Sequence, residues 1–180
     1  MSVAIIDPTA GRTQPTEQTP TESRRVASLD GLRVGLLENT KRNASEILDA
    51  LGALLQEQKG SGDLVRRTKT QFAMPLTEEL IEDLRNECDV VVIGVGDCGS
   101  CSAAAVADGI ALEQLGIPTA VICTDAFEST SRAMAGLKGR PDYPFIVTEH
   151  PVANLGADGI TDRAASLLGA VTARLVENDA

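Results

Sequence analysis

Two cysteines spaced three apart, in Gly96-Asp97-Cys98-Gly99-Ser100-Cys101, follow directly on the apolar run Val90 to Val95. Such a run reads as a buried strand, and the Ala-rich segment Ser102 to Leu115 reads as a helix. The CxxC then sits where a strand feeds a helix N-terminus. Free backbone N–H groups and the helix dipole favour negative charge there, including a thiolate. A lowered thiol pKa makes a cysteine a nucleophile or a redox group. Cys98 is therefore the expected nucleophile and Cys101 the resolving or second thiol. Gly96, Asp97, Gly99, Ser100 and Ser102 surround them as candidate anion- and substrate-binding positions, the glycines allowing unusual backbone angles and close approach. Plain alternatives are two inert buried cysteines, half of a zinc site, or a Gly-rich phosphate loop. The chain has no second CxxC and no GxGxxG fingerprint, so the reading calls for no metal and no cofactor.

Three other segments carry polar groups at matching places. Asn39, Lys41 and Asn43 follow the first apolar strand. Lys41 suits a substrate carboxylate or a thiolate, and Asn43 serves equally as a helix cap. Thr124 and Asp125 follow the fourth strand, as ligand or proton-transfer groups or as an ordinary helix start. His150, the single histidine, follows the fifth strand and suits proton transfer near neutral pH. Cys88 lies before the third strand, at the opposite edge, and is expected to be inert.

The elements that must position these residues repeat a simple pattern. Strands are expected at Leu32–Leu37, Leu64–Thr70, Val90–Val95, Thr119–Cys123 and Phe145–Thr148. The first helix follows Asn43 or Ser45 and carries Ile47, Leu48, Leu51, Leu54 and Leu55 on one face. The second is capped by Thr77, the fourth covers Phe127 to Leu137, and the fifth starts near Thr161. Alternating strands and helices imply a mostly parallel, five-stranded, doubly wound sheet with helices on both faces. The expected order is the flavodoxin-like 2-1-3-4-5, which puts ligands at the carboxyl ends of strands one and three. Residues 1–30 contain a Thr-, Gln-, Glu- and Pro-rich stretch and read as a flexible N-terminal arm, with 31–180 as a single α/β domain.

Composition narrows the function. The 180 residues carry a net charge of −10 and only 2% aromatics, which opposes nucleic-acid binding by charge or by stacking. No apolar stretch approaches the roughly 20 residues of a membrane span. A cytoplasmic protein with reduced thiols is expected.

At these residues the chain resembles the UGSC family, in which selenocysteine can replace the first motif cysteine. The likeness runs from Ile6-Asp7-Pro8-Thr9 and Leu36 to Asn43, through Gly94 to Cys101, Gly116-Ile117-Pro118 and Thr124 to Phe127, to Glu149-His150-Pro151. Arg42 stands where the family pattern leads one to expect proline. Cys98 occupies the selenocysteine position, and selenium is useful mainly to a nucleophilic or redox atom. More distantly, the surroundings are similar to the selenoprotein B component of glycine and betaine reductases, where a selenolate displaces an amine beside a carboxylate.

The expected function is a thiol-dependent enzyme, an oxidoreductase or lyase, acting on a small anionic, carboxylate-bearing molecule. Cys98 attacks, His150 or Asp125 handles a proton, and an external thiol reductant restores the enzyme if a disulfide forms. Two alternatives stay open. One is a lyase, hydrolase or racemase without net redox change, with Cys98 and Cys123 as the racemase pair. The other is a non-catalytic or half-site subunit of a homo- or hetero-oligomer, with the apolar helix after the motif buried against the partner.

Overall fold

The computed structural model describes residues 22–177. Five strands form one parallel sheet: β1 Val34–Glu38, β2 Leu64–Thr68, β3 Val90–Gly96, β4 Thr119–Thr124 and β5 Ile146–Thr148. Their spatial order is β2-β1-β3-β4-β5, the flavodoxin-like order expected. Helices α1 Ala44–Lys59, α2 Glu78–Glu87, α3 Gly99–Gln114, α4 Glu128–Leu137 and α5 Ala157–Leu175 connect and cover the strands, with a short 3-10 turn at Asp125–Phe127. No described helix is long and apolar enough to cross a membrane.

The sheet has a core on each face, which is why β3 at its centre lacks polar positions. β3 is buried at all seven residues. Val90 and Val92 join Leu36, Ile122 and the inward faces of α1 and α5 in one cluster. Val91 and Ile93 face the other way, against Leu84 of α2, Val106 and Ile110 of α3, and Ala135 of α4. This division follows from the two-residue period of a strand.

Local signals set the helix ends. The Thr77 hydroxyl accepts the Leu80 N–H at 3.2 Å and starts α2. Gly60, at φ 68°, ends α1 in the left-handed conformation and donates its N–H to Gln56 and Leu55 carbonyls. Asn43, a candidate cap, caps nothing with its side chain. It adopts φ 66°, and its amide donates instead to the Val152 and Leu155 carbonyls at 2.9 and 3.0 Å. It thereby ties the loop after β1 to the loop after β5. α5 begins four residues before Thr161, at Ala157, and α3 begins inside the motif, at Gly99.

Residues 1–21 of the expected arm lie outside the described residues. Residues 22–30 pack on the body. Leu29 is buried in the α1/α5 core, and Val26 bridges to Val176. Ser23 donates from its backbone and hydroxyl to Glu113 at 2.9 and 2.7 Å.

Candidate active site at the carboxyl edge of the sheet

The motif is a helix cap made of sulfur. Cys98 is extended, at φ −159° and ψ 166°, and its Sγ accepts the Cys101 N–H at 3.3 Å. The Ser100 Oγ lies 3.5 Å from the same sulfur. The first-turn N–H groups of a helix have no partner within it, so negative charge on this sulfur meets both the dipole and a directed N–H. Cys98 and Cys101 are joined in a disulfide, with Cα atoms 5.3 Å apart. Cys98 is half-buried, whereas Cys101 is fully buried. An incoming reagent meets Cys98 first.

Next to the motif, Asp97 holds His150. The Asp97 carboxylate lies 2.8 Å from His150 Nδ1, and the Thr124 Oγ1 lies 3.2 Å from the same nitrogen. Thr124 gives its own hydroxyl proton to the Gly96 carbonyl at 3.2 Å. Both neighbours of Nδ1 are therefore acceptors, which puts the proton on Nδ1 and leaves Nε2 as the free lone pair. Asp97 also accepts the Val152 and Ala153 N–H groups at 3.4 Å. Its side chain is only 5% exposed, so it positions the histidine and the loop after β5 rather than presenting itself to a ligand. Asp125 accepts the His150 backbone N–H at 3.1 Å, and Phe127 packs edge-on against the imidazole at 5.4 Å. Asp125 thus acts on the backbone of His150, not on its ring.

The other sequence-selected residues fall into three groups. Asn39 lies buried on the motif's side of the sheet, its amide donating to the Val95 carbonyl at 3.0 Å while Oδ1 has no partner among the described residues. Lys41 is half-buried, with Nζ 5.2 Å from the centre of the Phe72 ring. Ser102 is fully buried, with its backbone N–H on the Cys98 carbonyl at 2.9 Å, and is out of a ligand's reach. Gly96 earns its place by packing. A Cβ there would stand 2.7 Å from Ser102 Oγ and 2.9 Å from Cys123 Sγ. Gly99 meets nothing nearer than Thr130 at 4.0 Å. Neither has a positive φ; among the described glycines, that conformation belongs to Gly31, Gly60, Gly116 and Gly139.

The remaining thiols are held inert. Cys123 is fully buried, its S–H directed at the Ser102 carbonyl at 3.9 Å, and burial pushes its pKa up to about 11. It therefore shares no accessible space with Cys98, and the paired-cysteine racemase geometry is absent. Cys88 is buried, and desolvation with nearby Glu87 pushes it up to about 11. The surroundings of α3 also differ from the expectation of a partner-facing helix. Its apolar residues, among them Ala105, Val106, Ile110 and Leu112, are buried within the chain itself.

Two charged residues that the sequence did not single out lie behind the motif. Lys69, just past β2, and Asp108, in the middle of α3, form an ion pair with side chains 6% and 3% exposed. A void of about 10 Å³ is lined by Lys69, Asp108, Cys101, Asn39 and Phe72, among others. A larger cavity of about 420 Å³ opens elsewhere along the end of β2, lined by Lys69, Thr70, Met74 and Leu80, and none of the sequence-selected residues lines it. Of the residues selected for chemistry, Ser100 lies against Cys98, and Asp97, next to it in the chain, with Thr124 holds His150. Among the described residues, no group of three or more His, Cys, Asp or Glu side chains is arranged to hold a metal ion.

No curated protein matches the chain. Among solved structures, that of the FMN-dependent cysteine decarboxylase SpaF is similar at TM-score 0.41 and 13% identity, covering 77% of this chain and 97% of that one. A likeness of that degree carries no functional argument. The family model for the UGSC family matches residues 4–177, which takes in the Cys98 loop, the Asp97–His150 contact and every element of the sheet, and the chain belongs to that family.

Proposed function

We propose that the protein is a thiol-dependent enzyme that uses Cys98 for nucleophilic, disulfide-forming chemistry on a small carboxylate-bearing molecule. The observation that carries this reading is the arrangement at the start of α3. Cys98 Sγ caps the helix, and the next residue back holds His150 by Nδ1. A thiolate on Cys98 attacks an activated atom of the substrate; the bond from Cys98 Sγ to that atom forms as the bond to the substrate's leaving group breaks, and the leaving group departs with the electron pair. His150 Nε2 supplies or removes the proton of the reacting group, with Asp97 and Thr124 fixing the ring. Lys41, the Ser100 hydroxyl and the first N–H groups of α3 favour a carboxylate beside the sulfur. Cys101 then gives up its proton and attacks Cys98 Sγ; the Cys98–Cys101 bond forms, the bound group leaves with the bonding electron pair and takes up a proton, reduced by two electrons, and an external dithiol returns two electrons and two protons to reopen the disulfide.

Two alkylating reagents of the same size test this reading. The reduced protein is treated with iodoacetate or with iodoacetamide, and intact mass is followed with time. We expect a single adduct, mapped to Cys98, with the charged reagent favoured relative to its ratio on a free thiol. Lys41→Met should return the ratio towards the free-thiol value. An adduct that persists in Cys98→Ser, or no preference for the anion, would overturn the assignment.

A further inference from the structure

Strand order in this sheet reverses between β1 and β3, and the crevice outside their carboxyl ends is where doubly wound sheets hold ligands. Here that crevice is almost closed. Its void is only about 10 Å³, room for one water, and Leu37, Asn39, Ile93 and Cys101 are among its walls. Another wall is Phe72, which comes from the segment between β2 and α2. A side chain from outside the sheet thus stands where the fold offers a ligand site.

The segment that carries Phe72 is hinged at both ends on one carboxylate. Asp108 takes the Lys69 ammonium on one oxygen and the Leu76 N–H on the other, at 3.3 Å. Lys69 is also tied to β1, its backbone N–H on the Glu38 carbonyl at 2.8 Å. Between these anchors Thr70 to Pro75 are all exposed. Among the described residues they make one hydrogen bond, from the Met74 N–H to the Gln71 carbonyl at 3.0 Å. An exposed turn with few buried contacts opens at low free-energy cost. Phe72 is 39% exposed, and Lys41 stands 5.2 Å from its ring centre. A second seat for the ring lies close by. The cavity of about 420 Å³ is lined by Gln71, Met74, Pro75 and Leu80 but not by Phe72. An apolar cavity of roughly 150 Å³ is enough to take benzene.

The crevice under Phe72 is chemically incomplete. Asn39 is buried and donates its amide to the Val95 carbonyl, while its Oδ1 has no partner among the described residues. A buried acceptor left unpaired costs free energy until a donor reaches it. Lys41 has no carboxylate partner among the described residues and meets only the face of the ring. The acids lining the void are already committed, Asp108 to its two donors and Glu38 to the Thr40 N–H.

We propose that residues 70–75 form a lid and that Phe72 is its plug in the substrate crevice between β1 and β3. The ring swings out to the cavity beside Leu80, and the substrate takes its place. This rests on the reading of Cys98 as the attacking thiol, and it narrows the substrate class. The substrate carries a carboxylate for Lys41, a hydrogen-bond donor for Asn39 Oδ1, and an apolar group about the size of the benzene ring it displaces. Its reacting atom lies at Cys98, whose sulfur adjoins that of Cys101 in the crevice wall.

Two α-bromo acids test the lid on the reduced protein. Bromoacetate is small enough to reach Cys98 with the lid closed, and α-bromophenylacetate needs the crevice. Rates are followed by intact mass and divided by those on glutathione. Phe72→Ala removes the plug, and the phenyl reagent should label Cys98 about 10-fold faster, the gain when a state open about a tenth of the time becomes open throughout. Phe72→Trp enlarges the plug and should slow the phenyl reagent, so the test stands even if Phe72→Ala does not fold. Bromoacetate should react at the wild-type rate in both. A ratio of the two reagents equal to that of the wild type in either folded variant would overturn the lid. Absence of a bromoacetate adduct on Cys98 in the wild-type protein would overturn the reading of Cys98 instead.

Discussion

The two ends of α3 hold polar clusters with opposite characters. At its C-terminal end, Glu113 is fully buried and spends both oxygens on Ser23, Arg25, Thr119 and Arg174. At its N-terminal end, His150 is held by side chains through Nδ1 alone, and the Cys98–Cys101 disulfide lies with Cys98 only half-buried. A saturated network gains rigidity and has no capacity left for chemistry. A network that fixes a histidine by one nitrogen and frees the other is organised for proton transfer. The same helix therefore anchors residues 23–25 at one end and carries the half-buried Cys98–Cys101 pair at the other.

The largest effect that would break this comparison is the loss of Cys98. Cys98→Ser should abolish covalent adduct formation by intact mass and leave thermal unfolding nearly unchanged, because a hydroxyl is a poor nucleophile at neutral pH. The reverse pattern is expected at the other end. Glu113→Ala leaves Arg25 and Arg174 without their acceptor in a buried site and should cost about 3–5 kcal/mol. Calorimetry should show a Tm lower by about 10 °C, with motif reactivity preserved in the cold, still-folded protein. The pH dependence has a definite sign. Burial pushes the Glu113 carboxyl up, but hydrogen bonds from Arg25 and Ser23 with the charge of Arg174 hold it below its ordinary value of 4.5. Its stabilisation is thus present above pH 4.5 and is lost as the pH falls through the lower folded-state value. Acid unfolding of Glu113→Gln should lack that component.

Sequence reading reached the sheet and its strand order because both follow from local pattern. Apolar runs buried on two faces have to be central parallel strands, and residues just beyond them have to share one edge. It missed what depends on distant partners. Asp108 looks like one polar interruption of an apolar helix, and its partner Lys69 lies at the end of a strand 39 residues earlier in the chain. Asn43 looks like a cap, yet its left-handed backbone turns the amide towards Val152. Asp97 reads as a ligand group until β5 brings His150 to it. Ser23, Val26 and Leu29 sit at the end of a polar stretch whose composition conceals that Glu113, Val176 and the core receive them.

Two smaller effects sharpen the contrast between positioning and packing. Asp97→Asn should slow Cys98-dependent turnover about 10²-fold by freeing the imidazole. Gly96→Ala should cost about 1–3 kcal/mol by forcing Ser102 and Cys123 apart. Gly99→Ala, in open space, should stay within about 0.5 kcal/mol of wild type. Paired urea titrations of the two alanine variants would measure that gap.

Pulsed alkylation of the reduced, folded protein at pH 7, with each cysteine mapped by peptide mass, tests the central claim most directly. Cys98 should be labelled first, and the fully buried Cys101 only after unfolding, as should Cys88 and Cys123, which burial pushes to about 11. Labelling of Cys88 or Cys123 ahead of Cys98 would contradict the account.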